Sequence, residues 1–463
     1  MAQTYDLTEE KVSKLILRFY FPLLFTNMLQ QIYTVADTII VGKGLGDQAL
    51  AAVGNMSSLT FLIMGFSMGL TNGFSVSIAQ GYGSKNYQEL RRVIASALKL
   101  SLGIGIVLSV LSMVFLRTLL NFLQTSSLIM NDSITYGYIL FGGLLTTLAY
   151  NMCACILRAL GDSRTPFIAI IVSSIVNVTL NYVFIFPLQM GVAGAAISTI
   201  ISQILSAIIC FNKLRKIDII KLSKNDFKSD MKLNVSLLVN GIPMAIMNSI
   251  TAIGCMVVQY FVNGLGVIYT SAYSACSKYI NLFMQPAATA GLALSSFTSQ
   301  NYGAKKYDRI REGLHVCLGI ALVSYATLGS VLFFFPRELA LLMLSGEESV
   351  DLVVKFLPVC GLMMWAVDSL FIFRNGCQGM GKPLIPMISG VAEMVMRIAA
   401  IVFLIDVVGF KATAYAEVAA WLIALTINLL AFEWNLRKKT KNIRKEKRVT
   451  RNYYFRVKER VKV

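Results

Sequence analysis

Apolar residues fall in twelve long stretches, roughly 15–41, 50–80, 92–118, 133–159, 165–187, 191–212, 234–262, 268–298, 312–336, 350–377, 384–407 and 411–434, with polar residues gathered between them. Each stretch reaches the ~20 residues a helix needs to cross a hydrocarbon core. Helix is also the state that satisfies every backbone polar group inside its own segment, so the pattern predicts twelve transmembrane helices. Several stretches are long enough to require tilt or extension past the bilayer. The connections alternate in charge. Lys11 and Lys14 precede span one, and Lys85, Arg91 and Arg92 lie between spans two and three. Arg158 and Arg164 lie between four and five, a Lys-rich run from Lys213 to Lys232 between six and seven, and Lys305, Lys306, Arg309 and Arg311 between eight and nine. The other connections hold little more than Lys43, Arg117, Arg337 and Lys411. Because positive loops stay on the cytoplasmic side, both termini are expected there.

The chain repeats itself. Gln80-Gly-Tyr-Gly-Ser-Lys-Asn-Tyr-Gln-Glu-Leu-Arg91 reads like Gln300-Asn-Tyr-Gly-Ala-Lys-Lys-Tyr-Asp-Arg-Ile-Arg311, 220 positions later. At the same offset Gly44-Leu45-Gly46 answers Gly264-Leu265-Gly266, Arg117 answers Arg337, and Leu160-Gly161 answers Met380-Gly381; Pro22 answers Pro243 at 221. Six spans per copy is an even number, so the copies share one orientation. The predicted fold is an all-α integral membrane protein with two parallel-repeat six-helix lobes. The N-lobe covers 1–212, a cytoplasmic linker 213–232, the C-lobe 233–435 and a basic cytoplasmic tail 436–463.

Composition agrees. Of 463 residues, 56% are hydrophobic and 14% charged, against roughly 25% charged in soluble domains. Net charge is +18, and the stretch from Leu436 to Val463 supplies 13 Lys or Arg against two Glu. This tail reads as polar, aperiodic and mobile. It follows a membrane span, so anionic lipid rather than nucleic acid is its expected contact. The eight cysteines lie in or beside apolar stretches and read as small packing residues. With one histidine, no Cys-x-x-Cys and no Gly-rich phosphate loop, the sequence offers no machinery for metal chemistry or nucleotide hydrolysis. No enzyme activity and no cofactor are expected, and energy must come from an ion gradient or from another protein.

Ionisable groups inside spans are costly and tend to be functional. Asp37 lies in span one, with Tyr33 and Gln30 on its face at spacings of four and seven. Asn177 and Asn181 share a face of span five, as oxygen ligands or as interhelical glue. The second half carries Lys278 in span eight, Asp368 in span ten, Glu393 and Arg397 in span eleven and Glu417 in span twelve. Glu393 and Arg397, four apart, can neutralise each other, and Lys278 is expected to balance Asp368. The 21 Met and 27 Phe offer a soft surface for varied greasy ligands.

With Asp37 followed by Val41-Gly42 and Gly44-Leu45-Gly46-Asp47, the two Gln-x-Tyr-Gly loops, and Leu157-Arg158-Ala-Leu-Gly161-Asp162-Ser-Arg-Thr-Pro166, the chain resembles the MATE (multidrug and toxic compound extrusion) transporters over about residues 10–435, within them the bacterial branch that includes MepA. The resemblance implies antiport: export of lipophilic, often cationic compounds in exchange for H+ or Na+. It also implies an N-lobe ion site at Tyr33, Asp37, Asn177, Asn181 and Thr199. Asn181 stands where many members have Asp. Asp368 fits the family's acid in span ten, whereas span seven holds Asn248, Thr251 and Gln259 and no acid. The expected setting is the cell membrane, as a monomer, with small-molecule substrates and no nucleic acid. The rival transporter reading, a flippase of lipid-linked precursors, predicts several cationic side chains inside spans, where only Lys278, Arg397 and Lys99 qualify.

Overall fold

The computed structural model describes residues 6–460 except Gln124 and Ser229, with side chains as far as Lys441 apart from those of Asp47 and Ser58. Nine helices among the described residues are long and apolar enough to cross a membrane. In the N-lobe these are span one (Val12–Gly46), span two (Gln48–Gly83), span three (Tyr87–Phe122), span five (Arg164–Ile185) and span six (Gly191–Arg215). In the C-lobe they are span seven (Met231–Leu265), span nine (Tyr307–Phe334), span ten (Glu347–Gly379) and span twelve (Lys411–Lys441). Span four is a pair, Ser127–Gly142 and Leu144–Ala159, bent by 44° at its break. Span eight is also broken, Val267–Phe283 then Gln285–Gly303, and span eleven is Leu384–Val408. All twelve expected spans are accounted for. The linker shortens to the stretch between Arg215 and Met231, which holds two single 3-10 turns, Asp218–Ile220 and Lys224–Phe227.

Span three shows why the fold belongs in lipid. Its Ser101, Gly105, Ser109 and Ser112 face inward, while Leu102, Ile106, Val110 and Val114 are exposed. Small and hydroxyl residues pack helix on helix, and the greasy face is left for hydrocarbon.

The duplication is visible in the backbone. Spans one and two meet at Gly46, with φ +81°, and spans seven and eight at Gly266, with φ +116°. Only glycine takes such angles without strain, so each repeat turns at the same residue. Gly161 and Gly381, Lys85 and Lys305, and Gln189 and Gly409 likewise pair as positive-φ positions 220 apart.

Spans one and seven cross between the lobes. Leu15, Ile16, Phe19, Tyr20 and Leu23 of span one belong to the C-lobe core. Leu237 and Ala245 of span seven belong to the N-lobe core. This exchange closes the end that carries the repeated basic loops. There, a Cβ on Gly83 would stand 2.0 Å from the Gln300 carbonyl oxygen, and one on Gly303 would stand 2.0 Å from that of Gln80. The Gln80 side-chain amide donates to the Gly379 carbonyl (3.1 Å), and that of Gln300 donates to the Ala159 carbonyl (2.7 Å). The two donors, Gln80 and Gln300, are 220 positions apart, and so are the two acceptors, Ala159 and Gly379, so the two halves grip one another through a pseudo-two-fold axis. Further in, Asn248 donates to the Gly65 carbonyl (3.0 Å) and Asn27 to Thr289 (2.8 Å).

Three expectations change. The basic tail is not aperiodic: its backbone continues span twelve as one helix from Lys411 to Arg460. Lys, Arg and Glu are good helix formers, and the span supplies the nucleus; the tail's side chains beyond Lys441 lie outside the described residues. Arg158 is not in a loop but in the last turn of its helix, half-buried, with its guanidinium 3.0 Å from the Cys155 sulfur. Cys255 is exposed while the other seven cysteines are buried, so it is not a core packing residue.

Candidate functional site

The N-lobe brings spans one, five and six together around one carboxylate. Asp37, half-buried, accepts a hydrogen bond from the Asn181 side-chain amide. That amide also donates to the Asn177 side-chain oxygen one turn below (3.3 Å), and the Asn177 side-chain amide reaches the Ser202 hydroxyl (3.5 Å). The Ser198 hydroxyl donates to the Asn181 side-chain oxygen. Asn177 and Asn181 are buried because span five packs on span six through small residues, Ala195, Ser198 and Ser202. Tyr33 and Tyr136 lie within electrostatic reach of Asp37. No ion pair among the described residues includes Asp37. The site therefore holds one uncompensated carboxylate in a run of amide and hydroxyl oxygens, a donor set suited to a proton or a monovalent cation and too poor in charge for a divalent one.

Four of the five predicted N-lobe residues converge. Thr199 does not: its hydroxyl turns back to the Ala195 carbonyl of its own helix (3.0 Å). The hydroxyls that enter the network are its neighbours Ser198 and Ser202. Sequence reasoning missed both, although Ser198, Ser202 and Ser206 recur at a spacing of four on one buried face of span six.

The C-lobe is built differently. Glu393 binds Arg397 (3.1 Å) and Arg374, and Arg397 also binds Glu417 (2.9 Å). Glu417 in turn lies 3.4 Å from the Tyr273 hydroxyl. Two arginines and two glutamates thus neutralise each other across spans ten, eleven and twelve. Arg374, inside the stretch 350–377, was missed because spacing along span eleven does not refer to a side chain on span ten. Glu393 and Arg397 stand 220 positions after Ser173 and Asn177, so the repeat has replaced a neutral amide face with a closed ion-pair ladder. The C-lobe position matching Asp37 is a valine.

Lys278 does not balance Asp368. It is exposed, and no ion pair among the described residues joins the two. Asp368 is fully buried, and among the described residues neither its carboxylate oxygens nor the Ser324 hydroxyl makes a hydrogen bond of good geometry, although the two face each other. Span ten turns Asp368 toward Tyr20 of span one and Ser324 of span nine, next to a π turn at Tyr325–Gly329, while Lys278 points outward from span eight.

Comparison with known proteins agrees with the architecture. A family model described as MatE matches residues 22–183 and again residues 243–403. The chain is 31% identical over 366 residues to the probable multidrug resistance protein YoeA of Bacillus subtilis, covering 77% of this chain and 78% of that one. It is 22% identical over 403 residues to the multidrug export protein MepA of Staphylococcus saprophyticus, covering 84% and 87%. A solved structure described as the outward-facing conformation of a multidrug resistance MATE family transporter of the MOP superfamily superposes with a TM-score of 0.87 at 20% identity, covering 92% and 96%. Two copies of one model, matched in the register of the internal repeat, place this chain in the MATE family of membrane transporters.

Proposed function

We propose that the protein exports lipophilic, often cationic compounds across the cell membrane as a monomeric antiporter, driven by H+ or Na+ bound at Asp37. The observation that carries this reading is the Asp37 carboxylate of span one, tied to Asn181 and through it to Asn177, with no ion pair among the described residues to cancel it. Relatives named for multidrug resistance and multidrug export support the cargo. The basic loops and tail face the cytoplasm in this reading, so the closed end is cytoplasmic and cargo leaves from the opposite side.

Ion uptake at Asp37 alters the hydrogen bonding between spans one and five. Span one is the element that can respond. Pro22 lacks an N–H and breaks its backbone ladder, and the Thr26 hydroxyl already bonds the Pro22 carbonyl (2.7 Å). Cargo must bind the two conformations unequally for the ion to drive anything. The flippase alternative needs unpaired cations inside the spans. Arg374 and Arg397 are both neutralised by glutamate, Lys278 is exposed, and Lys99 donates to the Phe227 carbonyl (2.6 Å), which leaves no cationic chamber for it.

The test is uptake of a fluorescent lipophilic cation into proteoliposomes under an imposed proton gradient and, separately, an imposed sodium gradient. One gradient is expected to drive transport, and Asp37→Asn to abolish it in a folded protein. Wild-type rates from Asp37→Asn under the driving gradient would remove Asp37 from the mechanism.

A further inference from the structure

We propose that the short segment Asp6–Lys11, ahead of span one, is a strap that locks the basic end of the two lobes shut and must detach before that end opens. Its backbone is held by the C-lobe. The Leu7 amide donates to the Gln300 side-chain oxygen (2.9 Å), and its carbonyl accepts from Asn301 (3.1 Å). Lys306 donates to the Thr8 carbonyl (2.8 Å) and Arg309 to that of Glu10 (2.7 Å). Its acidic side chains are held by the N-lobe. The Lys85 ammonium lies 2.7 Å from Glu9 and 3.7 Å from Asp6. Leu7, 2% exposed, packs in the C-lobe core with Leu15 and Phe19, and borders a small cleft that Gly161, Ser163 and Arg164 of the loop after span four also line. One stretch of chain is therefore seated in both lobes at once, and the lobes cannot part there without unseating it.

Its place is also central. Gln300 is the residue whose amide grips the Ala159 carbonyl across the pseudo-two-fold axis, and the strap takes the remaining oxygen of that same side chain. The equivalent Gln80 receives nothing comparable: among the described residues the one hydrogen bond of its side chain is to Gly379. The segment 220 positions on from the strap docks elsewhere. Asp226 faces Arg91 (3.8 Å), and the Phe227 carbonyl accepts from Lys99 (2.6 Å), both on span three. The strap is thus an addition made to one repeat and not the other, on the contact that closes the molecule. Lysine and arginine donors onto backbone carbonyls are strong when dry and exchange readily with water once exposed, which suits a fastening that must release on every cycle.

Spin labels at Gln88→Cys and Asp308→Cys, exposed positions on the first turns of spans three and nine, read the lobe separation at this end. The full-length protein is measured in lipid nanodiscs, with the accessible Cys255 replaced by serine. Leu7→Asp puts a charge into the apolar surroundings of Leu7 and is expected to raise the long-distance fraction about tenfold. Lys306→Ala, an exposed position that does not threaten folding, is expected to raise it by a smaller factor. Hydrogen exchange of the amides of residues 6–10 reports whether the strap has left. An unchanged distance distribution in a variant whose strap amides exchange freely would overturn the proposal, and so would wild-type behaviour of Lys306→Ala where Leu7→Asp does not fold. Neither readout involves cargo or a gradient, so failure here is distinct from failure of the export reading.

Discussion

Replacing Gly303 with alanine places a methyl carbon 2.0 Å from the carbonyl oxygen of Gln80, across the contact that closes the basic end. Ordinary contact begins near 3.4 Å, so the two helices must separate by roughly 1.4 Å to admit one carbon. The obstructing atom is helical backbone and cannot swing aside as a side chain would. Overpacking of this kind costs about 1–3 kcal/mol. The cost falls only on the closed arrangement, because the two loops are apart when that end is open. The equilibrium therefore moves toward the open form by about 5- to 150-fold. Gly83→Ala meets the Gln300 carbonyl at the same 2.0 Å and is expected to act alike. Gly103→Ala, with nothing within 4 Å of its Cβ, is the matched control. Distances between labels at Gln88→Cys and Asp308→Cys measure the populations directly. A closed fraction equal to wild type in both Gly303→Ala and Gly83→Ala would refute the idea that these glycines set the fit of the lobes.

Ser198→Ala removes the donor to Asn181 and is expected to weaken the apparent affinity for the coupling ion about fivefold, whereas Thr199→Val changes it little; transport measured against ion concentration separates the two. Glu393→Gln leaves Arg374 and Arg397 short of a counter-charge in a buried ladder and is expected to cost about 3–5 kcal/mol of stability, read as a large drop in the melting temperature in detergent. Asp368→Leu replaces a fully buried acid that has no hydrogen bonds among the described residues with an apolar side chain of similar size, and is expected to raise stability by about 1–3 kcal/mol; a fall in melting temperature would show that the acid has a partner in the folded protein.

Much of the architecture was legible because membrane helices announce themselves locally. Runs such as 92–118 and 165–187 carry their own length and hydropathy, and the Gln80 and Gln300 loops carry their own likeness. Asp37 was legible for the same reason, as an acid where lipid makes acids expensive. Side-chain pairing was less so. Spacing along one helix found Glu393 with Arg397, but it could not find Arg374, which joins them from span ten, nor choose Ser198 over Thr199, which differ by 100° around span six. The Lys278–Asp368 pairing failed because matching opposite charges in neighbouring spans ignores which way each helix is turned.

The sequence alone determined the number of spans, their common orientation in two copies and the presence of an acid within span one, since each depends on composition within one segment or on likeness between two. The tertiary structure alone decided that spans one and seven trade lobes, that Gly83 and Gly303 each meet the other lobe's glutamine, and that the residues before span one fasten both halves. These depend on helix rotation and on contacts between residues hundreds of positions apart, to which no local propensity or periodicity refers.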